Sequence, residues 1–101
     1  MIQIIDKIFE YTKSFKNSDE FEADNKSFDA TLMNFISLGE LVGKLTEEFR
    51  NEKDKIEWRK IYAFRNNIAH DYFGIDAEEV FEIIQKHLPK FQNDLQKIIQ
   101  K

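Results

Sequence analysis

Arg65, Asn66, His70 and Tyr72 stand together in one short stretch, FRNNIAHDYFG at 64–74. Histidine is the side chain whose ordinary pKa lies nearest neutrality, so His70 can take a proton from a hydroxyl and later return one. Arg65 can hold a phosphate by two parallel hydrogen bonds and stabilise charge that builds on it. Asn66 can orient the imidazole or a sugar, and Tyr72 adds a phenol. These groups interrupt what otherwise reads as a buried helix. Burying them without partners is costly, so the face that carries them is expected to border a cleft, a partner or another subunit.

The elements that must position them are helical. Gly and Pro are nearly absent, three and one in 101 residues, and strand-like alternation is missing. Ile2, Ile5, Ile8, Phe9 and Phe15 mark a first amphipathic helix. The polar stretch KNSDEFEADNKS follows as a connection, with Phe21 packing back onto the core. Phe28, Leu32, Phe35, Gly39, Val42, Leu45 and Phe49 step by threes and fours along a long second helix, and RNEKD breaks the pattern. Trp58, Ile61, Phe64 and Ile68 form the stripe of a third helix, which Gly74 ends as a C-terminal glycine cap. Asp76 and Glu79 make a capping box for a fourth helix on Val80, Ile83, Ile84, Leu88, Phe91, Leu95 and Ile98. Pro89 lacks an amide proton and should kink or split that helix. The expected fold is all-α, an antiparallel four- to five-helix bundle in one domain over residues 1–101.

On a helix that continues through the motif, residues seven apart nearly align and residues five apart turn by about 140°. Arg65 and Tyr72 are therefore expected on one line beside the core stripe, with Asn66 and His70 on a neighbouring line. Gly39 and Gly43, in GELVG, point to close approach of another helix of the same chain, or of a second subunit.

The bulk properties bound the partners. Net charge is −4, which argues against nucleic-acid binding by bulk electrostatics. The charge is uneven. Residues 18–48 hold eight acids against two lysines, while 50–70 hold six cations against three acids. A solvated face and an RNA-steering patch both account for that. There are no cysteines, so neither disulfides nor thiolate metal sites are available. No metal-ligand spacing or glycine-rich phosphate loop is present, and no cofactor is expected. No secretory signal or membrane-length apolar run is visible, so a soluble cytoplasmic domain is expected.

Arg65-x4-His70-x-Tyr72, with Asn66 directly after the arginine, resembles the signature of the HEPN superfamily, and within it the chain is similar to the HepT toxins. SLGEL at 37–41 is similar to the family's Gly-Glu on the second helix. IEWRKIYAFRNNIAHDYFGID at 56–76 resembles its Trp-containing approach, motif and exit, and HLPKF at 87–91 its leucine-proline. The similarity runs from about Phe35 to the C-terminus, and the N-terminal third matches only in helical pattern. The resemblance implies a HEPN-type homodimer with its two motifs facing each other, acting as a metal-independent endoribonuclease toxin. It implies catalytic Arg65 and His70. It also implies a partner, the MntA-like nucleotidyltransferase antitoxin, which inactivates the toxin by adding AMP to the motif's tyrosine, here Tyr72.

The residue types suit that chemistry in their own right. RNA is cut without metal when a base takes the 2′-OH proton and the oxygen attacks the neighbouring phosphorus. His70 can be that base, Arg65 can hold the phosphate, and Asn66 can orient. A symmetric dimer offers the partner's His70 as the acid for the leaving 5′-oxygen. Plainer roles stand beside these. Arg65 can pair with Glu40, Tyr72 can be an ordinary amphipathic tyrosine, and Trp58, Phe64 and Phe73 suit core or interface. His87 reads as structural, and Asp71 points the wrong way to touch His70. Two further readings are a non-catalytic helical partner of a nucleotidyltransferase that helps hold its nucleotide, and a dimeric scaffold whose polar face specifies pairing.

Overall fold

The computed structural model describes residues 1–99. Its elements are α1 (Ile2–Thr12), α2 (Ser18–Ala23), α3 (Asn25–Lys44), α4 (Glu47–Glu52), α5 (Trp58–His70), a 3₁₀ turn (Tyr72–Gly74), α6 (Ala77–Glu82), a wide π turn (Ile83–His87) and α7 (Leu88–Ile99). The protein is all-α, and four long helical segments, α1, α3, α5 and the run from α6 through α7, make the bundle.

Short polar side chains set where helices begin. Asn17 Oδ1 accepts from the Glu20 amide at 2.9 Å, Asp24 Oδ1 from Ser27 at 3.1 Å, and Thr46 Oγ1 from Phe49 at 3.0 Å. Each such cap stabilises its helix by about 1 kcal/mol. Two of them redraw the expected boundaries. Half of the polar connection is the helix α2, because Asn17 starts it and Asp24 both ends it and starts α3. The long second helix stops at Lys44, because Leu45 turns extended and Thr46 caps a new helix, α4. Leu45 and Phe49 still pack on the core, which is why their spacing read as one helix. The break falls at Lys53–Glu57, later than expected. The first helix also ends early, at Thr12, whose hydroxyl bonds back to the Ile8 carbonyl at 2.8 Å.

The core joins Ile5 and Ile8 of α1, Leu32, Phe35, Leu38 and Val42 of α3, Ile61, Phe64 and Ile68 of α5, and Val80, Ile84, Leu88, Phe91 and Leu95 of the last segment. Each such side chain stabilises the fold by about 1.5–3 kcal/mol on burial. Phe35 meets Phe64 edge-on at 4.9 Å between ring centres, and Trp58 meets Phe91 edge-on at 5.6 Å. Phe21 is fully buried against Phe15, Phe28 and Phe81. Pro89 does not split the last helix. The turn ahead of it widens, with the Leu88 amide donating to the Ile83 carbonyl. A wide turn is a known way to accommodate a ring that would press on the preceding carbonyl.

Candidate active site

The site begins with two glycines. A Cβ built on Gly39 would collide with Cβ and Cγ of Arg65, and one on Gly43 would lie 2.8 Å from Cε1 of Tyr62. Position 39 thus faces 65 and position 43 faces 62, so α3 and α5 run antiparallel in close contact. The glycines serve packing within the chain, and Gly39 is the seat across which the Arg65 stem lies.

From that seat the guanidinium emerges partly covered. Nη2 lies 3.5 Å from Glu40 Oε1, and Nη1 donates to Asn66 Oδ1 at 3.0 Å. Nε is buried with no acceptor among the described residues. An ion pair this long at the surface is worth about 0–1 kcal/mol, so Glu40 holds the guanidinium only loosely. Arg65 lines an open cleft of about 280 Å³ with Glu40, Gly43, Lys44 and Tyr62.

His70 looks elsewhere. It is exposed and lines a second cleft, also about 280 Å³, with Phe64, Asn67, Asp71, Gly74, Ile75, Asp76 and Glu79. The two clefts share no residue. A helical turn of about 140° between the two positions accounts for this. The chain therefore presents its cation and its imidazole on different sides of α5, with Asn66 bonded to the arginine.

The expected alignment of Arg65 with Tyr72 on one continuing helix does not hold. α5 ends at His70, and Asp71 leaves the helical region with φ −148° and ψ 73°. The Asp71 carboxylate accepts from the Gly74 amide at 3.0 Å, so a local aspartate turn wins over a further helical turn. Gly74 is not the glycine cap expected, since no described glycine has positive φ. A Cβ there would strike the Asp71 carboxylate, so a side chain at this position would have to displace that carboxylate from the Gly74 amide. Asp76 does cap α6, but by accepting from the Glu78 amide at 3.0 Å rather than from Glu79.

The turn carries Tyr72 back towards α3. Its hydroxyl donates to Asp29 Oδ1 at 2.6 Å, across 43 residues of sequence. Partial burial first, and then the bond to Asp29 and its charge, push the phenol up to about 12. The sign follows directly. Below pH 10 both folded and unfolded chains keep the proton; between about 10 and 12 the unfolded chain loses it first, so stability falls as pH rises. Thermal melts should therefore show Tyr72→Phe losing less melting temperature between pH 10 and 12 than the parent does.

Asp29 was invisible in the sequence, where nothing links it to a tyrosine 43 positions away. Tyr62 and Lys44 were missed too, although the bare Gly43 signalled that something large lies against it. Trp58 and Phe64 are core, each 5% exposed, whereas Phe73 is 97% exposed. His87 is exposed beside the apolar groove of Ile61, Phe64, Ile83 and Phe91. Among the described residues no cluster of three His, Cys, Asp or Glu stands where it could hold a metal ion. No described helix is long and apolar enough to cross a membrane.

A family model described as "Ribonuclease HepT-like" matches residues 1–98. The chain belongs to the HepT-like ribonuclease family. The match reaches through the N-terminal third, where the residues alone showed only helical pattern. A Methanocaldococcus jannaschii protein named "Gamma-glutamylcyclotransferase and putative RNase" is 30% identical over 99% of this chain, which spans 45% of that relative. A "Putative RNase" of Caldanaerobacter subterraneus subsp. tengcongensis is 30% identical over 82% of this chain and 74% of its own. The "Probable ribonuclease HepT" of Thermococcus cleftensis is 24% identical over 95% of this chain and 86% of its own. No solved structure matches the chain.

Proposed function

We propose that this HepT-like chain is the toxin of a toxin–antitoxin pair, a metal-independent endoribonuclease that works in the cytoplasm as a homodimer. His70 takes the 2′-OH proton of an RNA nucleotide, and the freed oxygen attacks the adjacent phosphorus. Arg65 exchanges Glu40 for the phosphate and stabilises its growing charge. Asn66 orients the arginine. His70 of the partner subunit protonates the leaving 5′-oxygen, giving a 2′,3′-cyclic phosphate and a 5′-hydroxyl. DNA lacks the attacking hydroxyl and is not a substrate.

The observation that carries this reading, beside family membership, is that both motif groups are open to a ligand: Arg65 keeps one hydrogen bond to Asn66 and a loose ion pair to Glu40, and His70 is exposed. Support for the dimer comes from α5, which carries Arg65, and from α3, which packs against it. Met33 of α3 and Tyr62 of α5 are 57% and 39% exposed, and Phe73 on the following turn is 97% exposed. Large exposed apolar groups on these elements suit a second copy of the chain, which would also bring a second imidazole. Neutralisation follows from an MntA-like nucleotidyltransferase that adds AMP to Tyr72, placing a negative phosphate and a base where RNA must pass.

The test is cleavage of total cellular RNA in excess EDTA by the parent, Arg65→Ala and His70→Ala, with thermal stability matched. Cleavage by the parent alone, leaving a cyclic phosphate, is the expected result. No cleavage by a parent free of AMP on Tyr72 would overturn it. That outcome would favour the second reading, a non-catalytic partner of a nucleotidyltransferase, which the separation of Arg65 and His70 into two clefts supports.

A further inference from the structure

We infer that Asp29 is the base that takes the Tyr72 proton when the tyrosine receives a nucleotidyl group; the inference rests on the proposed modification of Tyr72. The donor and its acceptor are already paired. The phenol proton points at Asp29 Oδ1 across 2.6 Å, a charge-assisted bond, which leaves a lone pair of the same oxygen for an incoming phosphorus. Tyr72 lies on a turn outside the helices, and Asp29 is exposed on α3. The carboxylate can therefore pass the proton on to water.

The step balances with a nucleoside triphosphate as co-reactant. The Tyr72 oxygen forms a bond to the α-phosphorus, the bond from that phosphorus to the bridging oxygen breaks, and its electron pair leaves with pyrophosphate. The phenol proton goes to Asp29. Such a base is needed because any tyrosine phenol, with an ordinary pKa of about 10, is almost wholly protonated near neutrality. As the oxygen–phosphorus bond forms, the phenol becomes strongly acidic and transfer to a carboxylate becomes downhill. An aspartate that accepts a substrate hydroxyl proton plays this part in phosphoryl transfer by kinases.

Two roles for Asp29 predict opposite signs. A carboxylate that merely holds the phenol protonated would slow Tyr72, and removing it would speed reaction. A carboxylate that accepts the proton would speed Tyr72, and removing it would slow reaction. N-acetylimidazole, which acylates phenols without any antitoxin, separates them. Peptide mass spectrometry at pH 7.5 would follow Tyr72, with Tyr11 and Tyr62, 36% and 39% exposed, as internal controls. Asp29→Asn keeps the shape and an acceptor oxygen while removing the basicity. It should slow acetylation of Tyr72 by at least roughly ten-fold, a threshold set below the ~10²–10⁴-fold typical of general base catalysis, and leave the controls unchanged. An equal or faster rate at Tyr72 would overturn the role of Asp29.

A second arm supplies a minimal nucleotidyltransferase of the antitoxin type with α-labelled ATP. The parent should take label on Tyr72, Asp29→Asn should take it more slowly, and Tyr72→Phe should take none. A labelled parent with equally fast Asp29→Asn would overturn the base. An unlabelled parent would overturn modification of Tyr72 itself, whatever the acetylation arm had shown of Asp29.

Discussion

Equal amounts of parent and His70→Ala protein, allowed to exchange subunits, should cleave RNA at about a quarter of the rate of the same total of parent. In a two-fold dimer random exchange leaves about a quarter of the dimers with two intact histidines and about half with one. If each centre uses one His70 as base and the other as acid, the mixed dimers are as silent as the double variant. If each protomer worked alone, half of the histidines would still function and the rate would fall only to about half. His70→Ala by itself should lose on the order of 10²-fold or more, the usual weight of general acid–base catalysis. The structure gives the experiment its point, because Arg65 and His70 open into separate clefts on one chain. Rates measured in EDTA before and after exchange decide the matter, and a value near half would sink the paired-histidine mechanism.

Adding one methyl group at position 39 should cost both stability and activity, while the same change at 43 should cost little. The Cβ of Gly39→Ala would strike Cβ and Cγ of Arg65, atoms too near the backbone to swing aside, so α5 itself has to move away from α3. Overpacking of this kind costs about 1–3 kcal/mol, offset by the roughly 0.5–1 kcal/mol that alanine gains over glycine in a helix. A net loss of about 1–2 kcal/mol lowers the melting temperature by roughly 5–15 °C in a chain this size. Misplacing Arg65 by about 1 Å would add a loss of about 10²-fold in cleavage. At Gly43 the near atom is Cε1 of Tyr62 at 2.8 Å, the far end of a ring that can rotate away. Gly43→Ala should melt at or slightly above the parent and keep its activity. Melts and cleavage rates on both variants check the contrast; equal behaviour at the two positions would contradict it.

The long helices were legible because each carries a stripe that the core buries: Leu32, Phe35 and Val42 on α3, Ile61, Phe64 and Ile68 on α5, Phe91 and Leu95 on α7. α2 was not, because one buried residue, Phe21, makes no period. Its caps, Asn17 and Asp24, were present in the sequence but lay in a run rich in polar residues that reads as a loop. Helix ends were misplaced wherever a side chain competed with the backbone ladder, as Thr46 and Asp71 do. The pairing of Arg65 with Glu40 could be foreseen, since a glutamate next to a packing glycine lies where the facing helix passes. The Asp29–Tyr72 bond could not, because it depends on where the chain turns after His70. Periodicity places residues on an element and is silent once the element stops.

The clearance at Gly39 bears on how such chains are sorted in genomes. A change of one small residue there alters neither charge nor the Arg-x4-His-x-Tyr pattern, so a motif search would still count the chain as a complete nuclease. The arginine would nonetheless be displaced. A diverged copy can therefore keep every letter of the motif and have lost the space that one of them needs. Residue 39 is where to look when a chain with an intact motif proves inactive on RNA.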